Sequence, residues 1–374
     1  MSRRRTLTLS ILILTAILFL IHSSPFSPHP PPSLPPANAT LGFSTILAVS
    51  PPISPRRPSL LWAANLTGLE IVIPPQQHRS DADLSSFRAK EHSALTRGSA
   101  LAWLGHLDVL RYFLDTGYET ALIMEDDADF SLSIRHTQIP LLAAAVRHLL
   151  SNSTSATKHH HHHHNNNNNN DNDADFWGPT TSWDILYPGH CDDLPSPLYP
   201  THLHLLYHDP STPSLHLLHP ATQTFLSTLN IPSSTRFLHH AFFPFCTFAY
   251  AVTRRSARRI LTDFGREGQG GVSAFDVALL QACRDGGWGC WSVVPEVFHH
   301  GGGGSEIGRV DGRGGAGGVV QRGSWNLGCG GRGVGEGDGV KGLLGEMVGR
   351  GECVGDGRER GWVGCEGGEC GGQS

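Results

Sequence analysis

Short apolar runs alternate with helical periodicity along the first part of this chain, beyond an apolar N-terminal stretch. From Ser44, STILAVS reads as a buried strand, and PSLLWAANLTG reads as a helix with Pro58 at its start and Gly68 at its stop. LEIVIP is a second predicted strand. In SALAWLGHLDVLRYFLDTG, Leu104, Leu107, Leu110 and Leu114 keep helical spacing, with Ser99 as candidate cap and Gly117 as the end. ETALIM follows as a third strand. Three strands with two intervening helices predict a Rossmann-like half within an α/β sheet flanked by helices. Further on, WDILYPGH and LHLLYHD read as strands, and CTFAYAVTRRSARRILTDFG as a strand and a helix ending near Gly265. GGVSAFDVALLQACRDGGWGCWSVVPEVFHH reads as a helix with Asp276 near its start and a strand leading to His299 and His300.

The segments that break this pattern bound the domain. Arg3, Arg4 and Arg5 precede an uncharged run from Thr6 to Ser24, and the nearest small-x-small triplet, Ala37-Asn38-Ala39, lies too far downstream for cleavage. Residues 1–24 therefore read as a cytosolic tail and uncleaved signal-anchor, with residues 25–41 a Pro-rich stalk. The rest would lie in a lumen, where the sequons at Asn38, Asn65 and Asn152 and the eight cysteines have meaning. Cys283 and Cys290 could staple their loop or stay free. Residues 151–175, with their His and Asn runs, read as a low-complexity insertion. Of 44 glycines, 30 follow residue 300, so residues 302–374 read as a disordered tail and 42–301 as one domain. A formal net charge of −5 with scattered basic residues excludes a nucleic-acid footprint.

Chemistry concentrates where the third strand ends. ALIMEDDADF crowds Glu125, Asp126, Asp127 and Asp129 behind an apolar run, in a chain with only 33 acidic residues. Like charges repel, so such a cluster asks for a cation or a positive partner. Residues two apart on extended backbone project to one side, so Glu125 and Asp127 could converge on Mg²⁺ or Mn²⁺ beside a diphosphate. An acidic turn satisfied by backbone and solvent is the plainer alternative. Asp126 would then face a donor's ribose or sugar, and Asp129 would be a supporting partner or a helix cap.

GSALAWLGHLDVLRYFLDTGYETALIMEDDADF resembles the core of the glycosyltransferase family 25 domain, the lipopolysaccharide-type and procollagen-type galactosyltransferases, and especially fungal members. CTFAYAVTRRSARRIL and SAFDVALLQACRDGGWGCWSVVPEVFHH resemble two further blocks, so the resemblance spans roughly residues 45–300. It implies a GT-A fold, Mn²⁺ (or Mg²⁺) at the DxD-like Glu125-Asp126-Asp127, a UDP-sugar donor with galactose favoured, and a glycan or glycoprotein acceptor. The setting would be the Golgi or ER membrane, single-pass type II. It also nominates Asp276 as the base beside the acceptor, although a carboxylate there is often only a helix cap. His299 or His300 could complete the metal shell or be a solvent-facing pair. His106 is a donor contact or a core histidine. Arg56 and Arg57 are donor-binding candidates or solvated charge, since the family's Asn-Leu is replaced here by prolines. That replacement keeps open a second reading, a catalytically inactive transferase-like glycan-binding protein.

Overall fold

The computed structural model describes residues 34–157, 176–191, 193–196, 199, 202–301, 306–311, 325–327 and 329–333. The expected signal-anchor, most of the stalk, residues 158–175 of the insertion and most of the tail lie outside them. Among the described residues no helix is long and apolar enough to cross a membrane.

The predicted opening half is present. Strand β1 (Thr45–Val49) leads to helix α1 (Arg57–Thr67), which has Pro58 in its first turn and stops where Gly68 turns left-handed at φ 67°. Strand β2 (Ile71–Val72) is short. Helix α2 (Asp81–Phe87) opens on a capping box between Ser80 and Asp83 that the apolar pattern did not signal. Helix α3 (Arg97–Thr116) buries Trp103, Leu104, Leu107, Leu110 and Phe113 and ends at Gly117. Its cap is Thr96, whose side chain accepts from the Ser99 N–H, rather than Ser99 itself. Strand β3 (Thr120–Glu125) lies parallel to β1, with Val49 opposite Glu125, and β1 is parallel to β2.

Beyond β3 the sheet becomes mixed. Strands β5 (Ile185–Gly189), β6 (His204–His208), β7 (Thr235–His240), β8 (Ala249–Thr253) and β9 (Cys290–Val294) complete the order β2-β1-β3-β8-β5-β9-β7-β6. Strand β8 is antiparallel to both β3 and β5. Strands β4 (Ala128–Phe130) and β10 (Phe298–His300) pair antiparallel off this path, and β10 meets β5 at Gly189. The architecture is thus α/β, with a Rossmann-like mixed sheet between helices.

Alternation along β3 builds the two core layers. Leu122 and Met124 face the layer of α1 and helix α4 (Ile139–Thr157), whereas Ala121 and Ile123 face α3, helix α6 (Arg254–Asp263) and helix α7 (Phe275–Arg284). A smaller cluster gathers Phe225 and Leu226 of helix α5 (Pro220–Thr228) against Phe237. Cys283 and Cys290 pair, joining the end of α7 to β9, and Cys191, just after β5, pairs with Cys246, just before the neighbouring β8.

The domain reaches further than composition implied. Within the expected stalk, the Ala37 N–H donates to Arg135 O and Leu41 is fully buried, because these two apolar residues complete the layer beside Phe43. Helix α4 runs into the expected insertion as far as Thr157. Past Gly301, the short helix α8 (Glu306–Val310) is followed by Asp311, which accepts from the Gly98 N–H at 2.7 Å, and Leu327 is fully buried. Two arginines of α6 have partners at the surface: Arg255 meets Asp184 at 2.9 Å and Arg259 lies over the Trp288 ring at 4.0 Å.

Candidate functional site

Strand order places β1 and β3 side by side, with their carboxyl ends, Ser50 and Glu125, at one edge of the sheet. Ligands in such sheets sit beyond the carboxyl ends of strands. Asp126 and Asp127 form a turn between β3 and β4, with the Asp126 N–H on Val49 O and the Gly301 N–H on Asp127 O. This corrects the expectation of extended backbone through Glu125 to Asp127. The two carboxylates are neighbours because the chain turns from one strand pair to another.

Each acidic residue has a different environment. Asp126 is buried and both its oxygens are taken: Ser50 Oγ donates to Oδ2 at 2.6 Å and Arg56 Nε to Oδ1 at 2.7 Å. These contacts make it an anchor for Arg56. Glu125 accepts from Thr247 Oγ1 at 2.6 Å, and His106 Nε2 lies 3.5 Å away. Burial pushes Glu125 upward, but His106, the Thr247 hydroxyl and Arg56 outweigh it and hold it below the usual carboxylate range. Asp127 is the reverse. Burial, then the charge of Glu125, lift it to about 7, and its buried Oδ1 has no hydrogen-bond partner among the described residues. Asp129 is buried and accepts from the Phe130 N–H of β4 and from the Arg332 N–H in the 3₁₀ turn Gly331–Gly333, so it ties that turn to β4 in a way that fits both the supporting and the capping reading.

His106 belongs to this site by contact. It is 3 % exposed, stacks on Phe275 at 4.7 Å, and sits between Tyr250 OH (3.2 Å) and Thr247 Oγ1 (3.3 Å). It is a core histidine whose Nε2 faces Glu125. Asp276, in the first turn of α7, accepts from the Cys246 N–H at 3.1 Å and the Val277 N–H at 2.9 Å. Burial, with a contribution from Glu125, raises it. Capping does occur, and the same carboxylate is within electrostatic reach of Glu125 and His106.

No protein-family model matches the chain, and no curated protein matches it.

Arg57 is not brought to the acidic turn. Its Nε donates to Ser50 Oγ and its Nη2 to Ser50 O and Pro51 O, so it shapes the loop after β1. His299 is buried opposite Asp129, with Nδ1 3.7 Å from Glu296 Oε1. Its neighbour His300 lies opposite Ala128 and packs against Phe248. Among the described residues no group of three or more His, Cys, Asp or Glu side chains is arranged to hold a metal by itself. Mg²⁺ and Mn²⁺ sites of one or two carboxylates completed by phosphate oxygens and water do not need one. The apolar cavity lined by Leu142, Trp177, Leu186, Leu238 and Trp291 is separate and carries none of this chemistry.

Ser50, Thr247 and Arg332 carry no signal in the sequence. Two are hydroxyl residues with no motif of their own, and the third lies in a Gly-rich tail. Strand register brings Ser50 and Thr247 to Asp126 and Glu125, and tertiary contacts bring Arg332.

Proposed function

We propose that this chain is a metal-dependent glycosyltransferase of GT-A type, similar to family 25, that moves a hexose from a UDP-sugar to a hydroxyl of a glycan or glycoprotein. Galactose is the donor sugar the motif resemblance favours, and a type II membrane protein of the Golgi or ER is the setting its N-terminus favours. The observation that carries the reading is Asp127: a buried carboxylate oxygen without a partner, beside a second carboxylate, at the carboxyl ends of two parallel strands. Burying such a group unpaired is costly, and a hard cation is the ligand that fits two oxygen donors.

In this reading Asp127 and Glu125 hold Mn²⁺ or Mg²⁺, and His299 is the candidate to complete the shell. The bound ion would offset charge gathering on the UDP leaving group. His106 and Thr247 keep Glu125 ionised and oriented. Asp126 holds Arg56 at the mouth of the site, where a guanidinium favours phosphate. Asp276 takes the proton of the acceptor hydroxyl as it attacks, a role favoured by the burial that raises its affinity for protons.

The test is UDP release from a panel of UDP-sugars by the purified domain, with and without Mn²⁺. Turnover that needs Mn²⁺ and fails in Asp127→Ala supports the reading; an Asp127→Ala variant as fast as its parent refutes the metal role. The inactive glycan-binding reading is favoured by one feature, that Arg56 and Arg57 are both engaged within the protein. Glycan binding by calorimetry that is indifferent to UDP and metal would select it.

A further inference from the structure

The most highly connected side chain at the acidic turn comes from the Gly-rich tail. Arg332 Nη1 donates to Asp126 O at 2.6 Å and Ala128 O at 3.0 Å, the carbonyls on either side of Asp127. Its Nη2 donates to Arg56 O at 3.1 Å and Ser59 Oγ at 2.7 Å, at the start of α1. Its backbone N–H donates to Asp129 Oδ1 at 3.0 Å. The carbonyl left between, Asp127 O, accepts from the Gly301 N–H at 2.7 Å. Three successive carbonyls are therefore held by segments remote in sequence. The approach is close: a Cβ at Gly330 would lie 2.5 Å from Asp129 Oδ2, so a larger residue here would have to displace that carboxylate. A planar fork of N–H donors suits this set of acceptors, and a single ammonium does not.

We propose that Arg332 is a positioning residue for Asp127, bridging α1 to the acidic turn and holding the turn in the shape that presents the Asp127 carboxylate to a divalent cation. The proposal rests on the reading of Asp127 and Glu125 as cation ligands. Two roles for Arg332 have opposite signs. As a bare positive charge it opposes an incoming cation, and its removal would tighten binding. As a positioning residue its removal weakens binding, and partners that orient metal ligands are typically worth about 10–100-fold in affinity.

Calorimetric titration of the full chain with Mn²⁺, for the parent, Arg332→Ala and Arg332→Lys, separates the two roles. Amide hydrogen exchange over residues 125–130, measured without metal, reports on the turn itself. The expected result is a loss of about tenfold or more in Mn²⁺ affinity for Arg332→Ala, faster exchange at the turn with β1 unchanged, and only partial recovery in Arg332→Lys. Equal or tighter Mn²⁺ binding by Arg332→Ala, or unchanged exchange at the turn, overturns the proposal. A parent that binds no Mn²⁺, combined with faster exchange at the turn in Arg332→Ala, refutes the cation reading and leaves Arg332 as the residue that positions the turn.

Discussion

Two carboxylate–histidine clusters are embedded in this fold, and they differ in access. At the acidic turn, Asp127 is lifted to about 7, Glu125 is 31 % exposed beside His106, and one Asp127 oxygen lacks a partner. In the second cluster Asp193 is also lifted to about 7 by burial, but it and His239 are both 0 % exposed and 3.5 Å apart. There Tyr199 OH and the Phe243 N–H donate to Asp193 Oδ1 at 3.3 and 3.2 Å, and His239 packs against the rings of Phe225 and Phe237. Burial raises the carboxylate in both places, so a raised carboxylate alone does not mark a site. An acceptor oxygen without a hydrogen bond among the described residues is common to both, since Asp193 Oδ2 also lacks one, so solvent access is what distinguishes the turn from the sealed cluster.

The largest effect should separate them outright. Asp127→Asn is expected to cut UDP-sugar turnover by roughly 10²–10³-fold, the scale of losing one preorganised electrostatic group, while circular dichroism and melting stay near the parent. Asp193→Asn should leave turnover per folded molecule within about twofold, on the physical ground that a group out of contact with the reacting atoms moves the rate little. Equal losses in both variants would erase the comparison.

Stability should show the opposite ranking. Asp193→Ala leaves His239 facing an empty, dry space and is expected to cost about 1–3 kcal/mol in urea unfolding, the range for an unsatisfied buried polar group. Asp127→Ala should be neutral or stabilising at pH 8, because it removes a carboxylate that burial and Glu125 both disfavour.

The pH dependence has a defined sign in each cluster. Asp127 is raised on folding, so its contribution to stability is complete below about pH 4, the ordinary range of a free carboxyl, and is lost as pH rises to about 7. Asp193 behaves in the same way, but His239 is lowered by burial to about 3, and its contribution is lost as pH falls below the free-histidine range. The two slopes of the sealed pair oppose each other over mildly acidic pH. Melting from pH 4 to 8 should therefore flatten in Asp127→Asn relative to its parent. In Asp193→Asn it should fall toward acid, as His239 is left unopposed. Reversed slopes would refute these protonation states.

The smallest effect belongs to the support of Asp126. Ser50→Ala removes one of its two partners and should cost about 1 kcal/mol, with little change in donor affinity if Arg56 still pairs with Asp126.

The legible parts of this molecule were those with strong local periodicity. Leucine spacing in α3 and the apolar run of β3 announced both elements and the site at their junction, and ALIMEDDADF named its acids directly. Helices α2 and α5 and strand β7 went unread because their apolar residues are few and interleaved with Pro, Ser and His. Residues past Gly301 looked unable to fold because glycine weakens local preference, yet Leu327 is buried and Arg332 reaches the acidic turn through tertiary contacts alone. The roles of Asp126 and Asp127 could not be told apart in sequence. Which oxygen is taken depends on Ser50 and Arg56, about seventy residues away, and thus on the register of β1 against β3.

The central claim is that the half-open acidic turn is a cation–diphosphate site. Anomalous difference density from crystals grown with Mn²⁺ and UDP tests it most directly. The expected result is one strong Mn²⁺ peak at the carboxylates of Asp127 and Glu125 with a diphosphate oxygen beside it. A turn without a peak, or Mn²⁺ bound only elsewhere while UDP is in place, would contradict it.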